Sequence, residues 1–243
     1  FTSIKNEVTA IQNEQGYINS GSAEFRQRTI VGEPLQSFYG LEVVGVFQND
    51  TQVSNSPFLG NNPEAQLQPG DLIFRDQNGD GVINDEDRVF LGNFLPTYTY
   101  GGNISLNYKN WDLAVVSRVS LGNYNYNNMA SAKSYQLRAT ENSILTNLHA
   151  DTYNSGFQNL TDGNLQSDYY LQDASFFKLD NITLGYTIPN VFSKDSNLRI
   201  FGSAQNVLVI TDYDGLDPEI YGGIDNNFYP RPRLYSIGVN LNF

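Results

Sequence analysis

The feature that most constrains this chain is period-two alternation, held over segments longer than ordinary sheet strands. In residues 111–121, Trp111, Leu113, Val115, Val119 and Leu121 fall on one face, and Asp112, Arg118 and Ser120 fall on the other. Successive side chains of a strand point to opposite faces, so the pattern predicts an extended strand with one apolar side. Residues 103–108 repeat it, with Ile104, Leu106 and Tyr108 set against Asn103, Ser105 and Asn107. Lys109-Asn110 between the two has the length of a tight hairpin connection. In residues 233–243, Tyr235, Ile237, Val239, Leu241 and Phe243 alternate with Ser236, Gly238, Asn240 and Asn242.

Residues 173–188 predict a further long strand with a defect. Ile182, Leu184, Tyr186 and Ile188 share one parity, while Phe177 and Leu179 have the other. A bulge near Asp180-Asn181 reconciles the halves, because one extra residue flips the faces. Residues 198–210 predict another strand, and residues 1–11 and 22–30 predict weaker ones, for about seven in all. Short connections are expected near 15–19, at 109–110 and at 190–197. Long ones are expected over 32–96, 122–170 and 211–232, with a helix inside 126–153.

Short turns on one side and long loops on the other are the organisation of a transmembrane β-barrel. The expected fold is all-β: about seven antiparallel strands forming the C-terminal portion of a large barrel with long extracellular loops. Composition permits this although hydrophobic residues are only 40%. A spanning helix needs about 20 apolar residues in a row. A spanning strand needs about 10, half of them facing the lumen. The alternative that also alternates is a soluble antiparallel sandwich, here a Ca²⁺-dependent carbohydrate-binding one. Strand length, one-sided loops and the aromatic end at Phe243 favour the barrel over it.

Lys and Arg number 14 against 26 acidic residues, a net charge of -12, which excludes a basic nucleic-acid-binding face. Cys is absent, so disulfides and thiolate metal sites are excluded. The single His, His149, has the setting of a loop surface residue, no nucleophile elbow is present, and no catalytic role is expected. Asp212, Asp214, Asp217 and Glu219 are expected to be solvated loop carboxylates. Tyr213, Tyr221, Phe228 and Tyr229 in the last loop could stack on sugar rings, touch a partner, or pack within the loop.

One stretch carries metal chemistry. In residues 76–87, Asp76, Asn78, Asp80, Val82 (through its carbonyl), Asn84 and Asp87 occupy positions 1, 3, 5, 7, 9 and 12 of an EF-hand-type loop, with Gly81 at the sharp turn. The ligands are hard oxygens, which suit Ca²⁺. Asp87 stands where the EF-hand has Glu, and no helix pattern flanks the loop, so a structural cation rather than a sensor is expected. Without a cation, Asp71, Asp76, Asp80, Asp85, Glu86 and Asp87 would repel one another, with only Arg75 and Arg88 nearby.

The run Tyr170-Leu171-Gln172-Asp173-Ala174-Ser175-Phe176-Phe177-Lys178-Leu179-Asp180-Asn181-Ile182-Thr183-Leu184-Gly185-Tyr186-Thr187-Ile188-Pro189 resembles the SusC/RagA family of TonB-dependent outer-membrane transporters. Leu198-Arg199-Ile200-Phe201, Ala204-Gln205-Asn206, Gly215-Leu216-Asp217-Pro218-Glu219, Tyr229-Pro230-Arg231-Pro232-Arg233 and Gly32-Glu33-Pro34-Leu35-Gln36-Ser37-Phe38-Tyr39-Gly40 extend it in order along nearly the whole chain. The resemblance implies that residues 1–243 are the C-terminal segment of a receptor barrel of about 22 strands. It implies that residues 34–96 form a long extracellular loop holding the cation site, and that the plug belongs elsewhere. The chain starts at Phe1 inside a patterned segment with no signal peptide, and reads as a piece of something longer. The implied function is import of large nutrients, oligosaccharide glycans or sometimes peptides, across the bacterial outer membrane. Implied partners are the N-terminal remainder with its plug, TonB acting through that plug, a SusD-like surface lipoprotein, and outer-membrane lipid. The alternative within the same fold is a structural subunit of a larger outer-membrane assembly, without import.

Overall fold

A computed structural model describes residues 1–22, 25–60, 67–134, 150, 154–157, 166–226 and 229–243. The strands up to the first long one are β1 (Thr2–Ser3), β2 (Tyr17–Gly21), β3 (Arg26–Ile30), β4 (Ser37–Gly40), β5 (Val43–Val46), β6 (Phe58–Leu59), β7 (Leu72–Phe74), β8 (Val82–Ile83) and β9 (Val89–Gly92). They are followed by β10 (Tyr98–Tyr108), β11 (Trp111–Leu121), β12 (Tyr124–Tyr126), β13 (Leu171–Asp173), β14 (Phe176–Pro189), β15 (Asn197–Thr211) and β16 (Leu234–Asn242). Among the described residues two short α-helices, α1 (Asp50–Ser54) and α2 (Asn128–Ser134), lie in the connections. The second falls inside the 126–153 stretch where a helix is expected.

The long strands form one antiparallel sheet in the order β1-β10-β11-β14-β15-β16. Registers run straight across it. Ile104, Val115, Ile182, Ala204 and Tyr235 form one row, and Leu106, Leu113, Leu184, Gly202 and Ile237 form the next. Tyr108, Trp111, Tyr186, Ile200 and Val239 make a third, at the short-turn end. These apolar rows face outward: Ile104 is 56% exposed, Leu184 47% and Ile237 88%. An apolar face spanning five long strands is far beyond what a soluble monomer leaves in water, and it fits lipid. Aromatic residues stand at both ends of the face. Trp111 and Tyr186 are in ring contact at 4.7 Å beside Tyr108, and Tyr98, Tyr100 and Phe177 lie at the other end. The 11 residues of β11 span about 37 Å along the strand, or about 28 Å across a bilayer at a tilt of roughly 40°. Among the described residues no helix is long and apolar enough to cross a membrane.

The parity conflict in β14 is resolved by a bulge at the expected place. Opposite β11 the pairing steps from Val116↔Asn181 to Ser117↔Leu179, leaving Asp180 out of the ladder. Opposite β15 it steps from Gln205↔Asn181 to Leu208↔Leu179, and Asn206 takes a left-handed φ of 52°. The extra residues return Leu179 and Phe177 to the outward face. The tight turn at Lys109-Asn110 is also present, with Lys109 at φ 52°.

Three expectations need correction. Residues 1–11 do not form a strand: only Thr2–Ser3 pairs, with Thr99 and Tyr98, and the chain then leaves the ladder. Its next contacts are single backbone bonds, from Ile4 to Thr97 and between Val8 and residues 32–33. The turn expected at 15–19 lies at Asn13–Gly16 instead, where the Asn13 side chain accepts from Gly16. The 22–30 strand is β3, hairpinned to β2, and it belongs to a separate sheet ordered β2-β3-β4-β9. Among the described residues the wall therefore holds five long strands and one two-residue strand, where about seven were expected. Alternation in short segments does not say which sheet they join, because a strand on a small folded cap alternates as one on the wall does.

The buried core lies in the long connections and not in the wall. Phe25, Phe38, Leu41, Leu72, Phe74, Ile83, Tyr126, Phe157, Tyr170 and Ile224 make one cluster drawn from all three. The long connections are thus a folded cap with their own core.

Substituting the outward row should weaken the wall in proportion to depth. Leu184→Arg is expected to cost about 2–4 kcal/mol, while Thr187→Asn on the inner face stays within about 0.5 kcal/mol. Urea titration of the full-length protein in lipid vesicles measures both, and equal losses would reverse the assignment of faces.

Candidate functional site: the inner face of the wall and the cap above it

The inner face carries charges that the outer face excludes. Arg118 on β11 and Lys178 on β14 are directly opposite each other in the register. Two like charges so placed repel, and the chain answers with carboxylates. The bulge residue Asp180 accepts from Arg118 Nε at 2.8 Å. Glu219, carried back from the last long connection, lies 2.5 Å from Arg118 Nη1 and accepts from Lys178 Nζ at 2.5 Å. Arg231 Nη1 donates to the same Glu219 at 2.5 Å, and its Nε lies 3.5 Å from Asp217. The Lys178 side chain is 3% exposed and that of Glu219 is 11%. Breaking a pair this buried would leave an uncompensated charge.

The expectation that Asp217 and Glu219 are solvated is therefore overturned. What the sequence did offer was the parity of Arg118 and Lys178. Two cations on the polar face of one sheet require counter-charges, and Glu219 is one of them.

A second pair, Arg199 to Asp112, is bidentate at 2.9 and 2.6 Å nearer the short turns. It passes over Gly185, where a Cβ would collide with both partners. The Arg199 guanidinium also stacks on the Phe201 ring at 4.8 Å. The inner-face residues Asn103, Ser105 and Asn107 remain exposed.

The cap is tied together by buried polar contacts. Asn125 donates to the Pro218 carbonyl at 2.8 Å, and Gln27 donates to the Gly222 carbonyl at 2.8 Å. Arg28 is held between the Tyr17 and Tyr39 rings at 4.4 and 4.6 Å. The Tyr213 hydroxyl donates to Asp225 at 2.9 Å, and burial together with that carboxylate pushes its pKa far up. Below the cap lies a cavity of about 440 Å³ bordered by Phe94, Arg118, Asn123, Asn125, Phe176 and Glu219.

The four aromatic candidates separate. Tyr213 is 4% exposed and belongs to the loop's own packing. Tyr221 and Tyr229 are 98% and 89% exposed and available for contact. Phe228 and His149 lie outside the described residues.

In residues 76–87 the side chains satisfy the loop's own amides. Asp76 accepts from Gly79 and Gly81 at 2.7 and 2.9 Å, and those glycines take φ of 76° and 83°. Asp80 accepts from Val82 at 2.8 Å, Asn78 from Asp80 at 3.0 Å, and Asn84 from Glu86 at 2.7 Å. Asp87 is fully buried and accepts from Gln77 at 2.8 Å and Asn84 at 2.7 Å, closing the loop's two ends. Val82 pairs in parallel with Phe58, and the neighbouring Gly81 and Ile83 carbonyls face β6. The Val82 carbonyl therefore points away from β6. Among the described residues no group of three or more His, Cys, Asp or Glu side chains stands ready to hold a metal.

Burial raises the pKa of Asp168, whose carboxylate accepts from the Val43 amide at 2.8 Å. A folded-state pKa above the unfolded one contributes stability that is full at low pH and is lost as pH rises through the raised value. Cap stability is expected to show that fall on titration from the acidic side, and Asp168→Asn to remove it, as followed by thermal melting at several pH values.

No protein-family profile matches the chain. The chain is 29% identical over its whole length to TonB-dependent receptor P3 of Formosa agariphila, covering 26% of that protein. It is 34% identical over 181 residues, 72% of its length, to TonB-dependent receptor SusC of Bacteroides thetaiotaomicron, covering 18% of that receptor. The chain thus spans about a quarter or less of the relatives it matches. In three dimensions it superposes on the RagAB peptide transporter with a TM-score of 0.67 at 20% identity, over 97% of this chain and 24% of that one. A second structure, the RagAB peptide importer in the 'closed-closed' state, gives 0.68 at 21%, over 98% and 26%.

Proposed function

This chain is a segment of the SusC-like family of TonB-dependent receptors of the bacterial outer membrane, and from that premise we propose that the receptor containing it imports large nutrients. The observation that carries the reading is the inside-out wall. Its apolar rows face lipid, and its inner face is polar, charged and roofed by a folded cap. An isolated arc would leave unpaired sheet edges in lipid, so the remaining strands must close the barrel. In this reading a plug occupies the lumen and takes energy from TonB, and a SusD-like lipoprotein docks on the cap side. The cargo is an oligosaccharide or a peptide. The receptors it resembles are transporters, and the role assigned to this segment is wall and cap, without catalysis.

A hard divalent cation, Ca²⁺, belongs to the same proposal. In this reading Asp76, Asn78, Asp80 and the Val82 carbonyl supply the donors of positions 1, 3, 5 and 7. Asn84 would serve directly or through water. Asp87 would have to surrender two amide hydrogen bonds, a cost that argues for weak binding. Titration with Ca²⁺ is expected to protect residues 76–87 from proteolysis with a dissociation constant of about 0.1–1 mM, and Asp80→Ala to abolish the protection. Unchanged cleavage up to about 10 mM would remove the cation from the proposal.

Deleting the full-length receptor from its host tests import. Growth on one glycan or peptide class is expected to fail and to return with the intact gene. Unchanged growth and uptake on every class, with a stable multi-protein assembly co-purifying, would replace import with a structural role.

A further inference from the structure

Arg28 is a buried cation without a counter-charge of its own. It is 8% exposed, and among the described residues it enters no ion pair, whereas Arg75 and Arg88 of the same cap are paired with Glu42 and Asp85. Its Nε donates to Asn19 on β2 at 3.1 Å. A guanidinium carries five N–H donors in a rigid fork, and the four on Nη1 and Nη2 meet no acceptor among the described residues. Tyr17 and Tyr39, from the strands on either side of β3, hold the group between their rings. The neighbouring Gln27 turns the other way, donating to Gly222 opposite the buried Phe38. Arg28 and the exposed Arg26 therefore share the sheet face turned away from the core. Asp85 lies within reach of both charges but is taken by Arg88 at 2.7 Å. That hydrogen bond first, and then the charges of Arg88, Arg28 and Arg26, hold its carboxyl below the usual range.

We propose that Arg28, clamped between Tyr17 and Tyr39, is the recognition group of a carboxylate-binding site on the cap, which takes the carboxylate of a sugar acid or of a peptide terminus. The unmet donors select the ligand. Paired Nη N–H groups match the two oxygens of a carboxylate in one plane. The rings on either side of the fork favour that flat group over a tetrahedral sulfate. They also fix the guanidinium before the ligand arrives, so little side-chain freedom is lost on binding. A buried cation with idle donors gains most from a ligand that brings both charge and acceptors, and a neutral amide brings no charge. Arg26 on the same face adds attraction at longer range. In a chain of net charge -12 this attraction is local, since most of the surface repels anions. The inference rests on the import reading for the origin of the ligand, but its test needs no import.

The test uses the full-length receptor in detergent, with glucuronate and N-acetylglycine as probes. Glucuronamide and N-acetylglycinamide serve as their neutral controls, and sulfate at equal ionic strength as the tetrahedral one. Saturation-transfer NMR is expected to show the carboxylates bound and the amides and sulfate not. Arg28→Lys, which keeps the charge and loses the fork, is expected to weaken binding about tenfold, and Arg28→Met to abolish it. The probe bound more tightly identifies the source as sugar acid or peptide, and equal binding assigns the site to the carboxylate alone. Heat-modifiable migration on gels and an unchanged proteolysis pattern of the cap confirm that each variant is folded. Should Arg28→Met not fold, the comparison of acid with amide on the unaltered receptor decides. Acid and amide binding alike, sulfate competing as well as glucuronate, or a folded Arg28→Lys binding as the unaltered receptor does, overturns the site. That failure leaves the import reading standing, since uptake is measured separately.

Discussion

Everything in this chain follows from the need to satisfy backbone hydrogen bonds where no water is present. In a bilayer an unpaired amide or carbonyl costs several kcal/mol, about the strength of the bond it forgoes. Only helices and closed sheets escape that cost. The chain takes the sheet, with β10, β11, β14, β15 and β16 pairing along their lengths. Once the ladder is laid down, its pleat dictates the rest. Every second residue must tolerate lipid and every residue between must tolerate the lumen. The bulge at Asp180 follows from that demand: without it Phe177 and Leu179 would face inward while Ile182 and Leu184 faced out.

The same pleat places charge where it becomes useful. Arg118 and Lys178 are forced together on the inner face by the register, and neither can turn to lipid. Their repulsion is relieved only by carboxylates that come from elsewhere: Asp180 from the bulge and Glu219 from the cap. A wall irregularity and a distant connection are therefore coupled through one ion cluster. The cap reaches the lumen at that point, so whatever moves the cap is felt at the wall.

The chain also divides its hydrophobic effect in two. The wall buries little of its own apolar surface and relies on lipid, whereas the cap builds a water-excluding core from Phe25, Phe38, Phe74, Tyr126 and Ile224. That core brings together residues from all three long connections. It keeps Tyr213 and Asp225 inside and leaves Tyr221 and Tyr229 at the surface. Residues 76–87 sit in this cap as a loop whose carboxylates serve its own amides.

By itself the sequence determined the wall from Tyr98 onward. The strands, the Lys109-Asn110 turn, the bulge and the two faces were legible because alternation is a local property. Each residue's side is set by its neighbour's, and a parity break of one residue has one remedy. The alternating turn lengths and the SusC-like motifs were legible for the same reason, being contiguous in the chain. Tertiary structure alone decided that β2 and β3 join the cap, that Asp87 closes a loop with both oxygens, and that Glu219 leaves solvent for the wall. Those outcomes depend on which segments meet across dozens of residues. A carboxylate in an acidic loop carries no local mark that three cations, one of them the buried Lys178, await it: Arg118 and Lys178 lie 101 and 41 residues away from it, and only the folded cap brings them together.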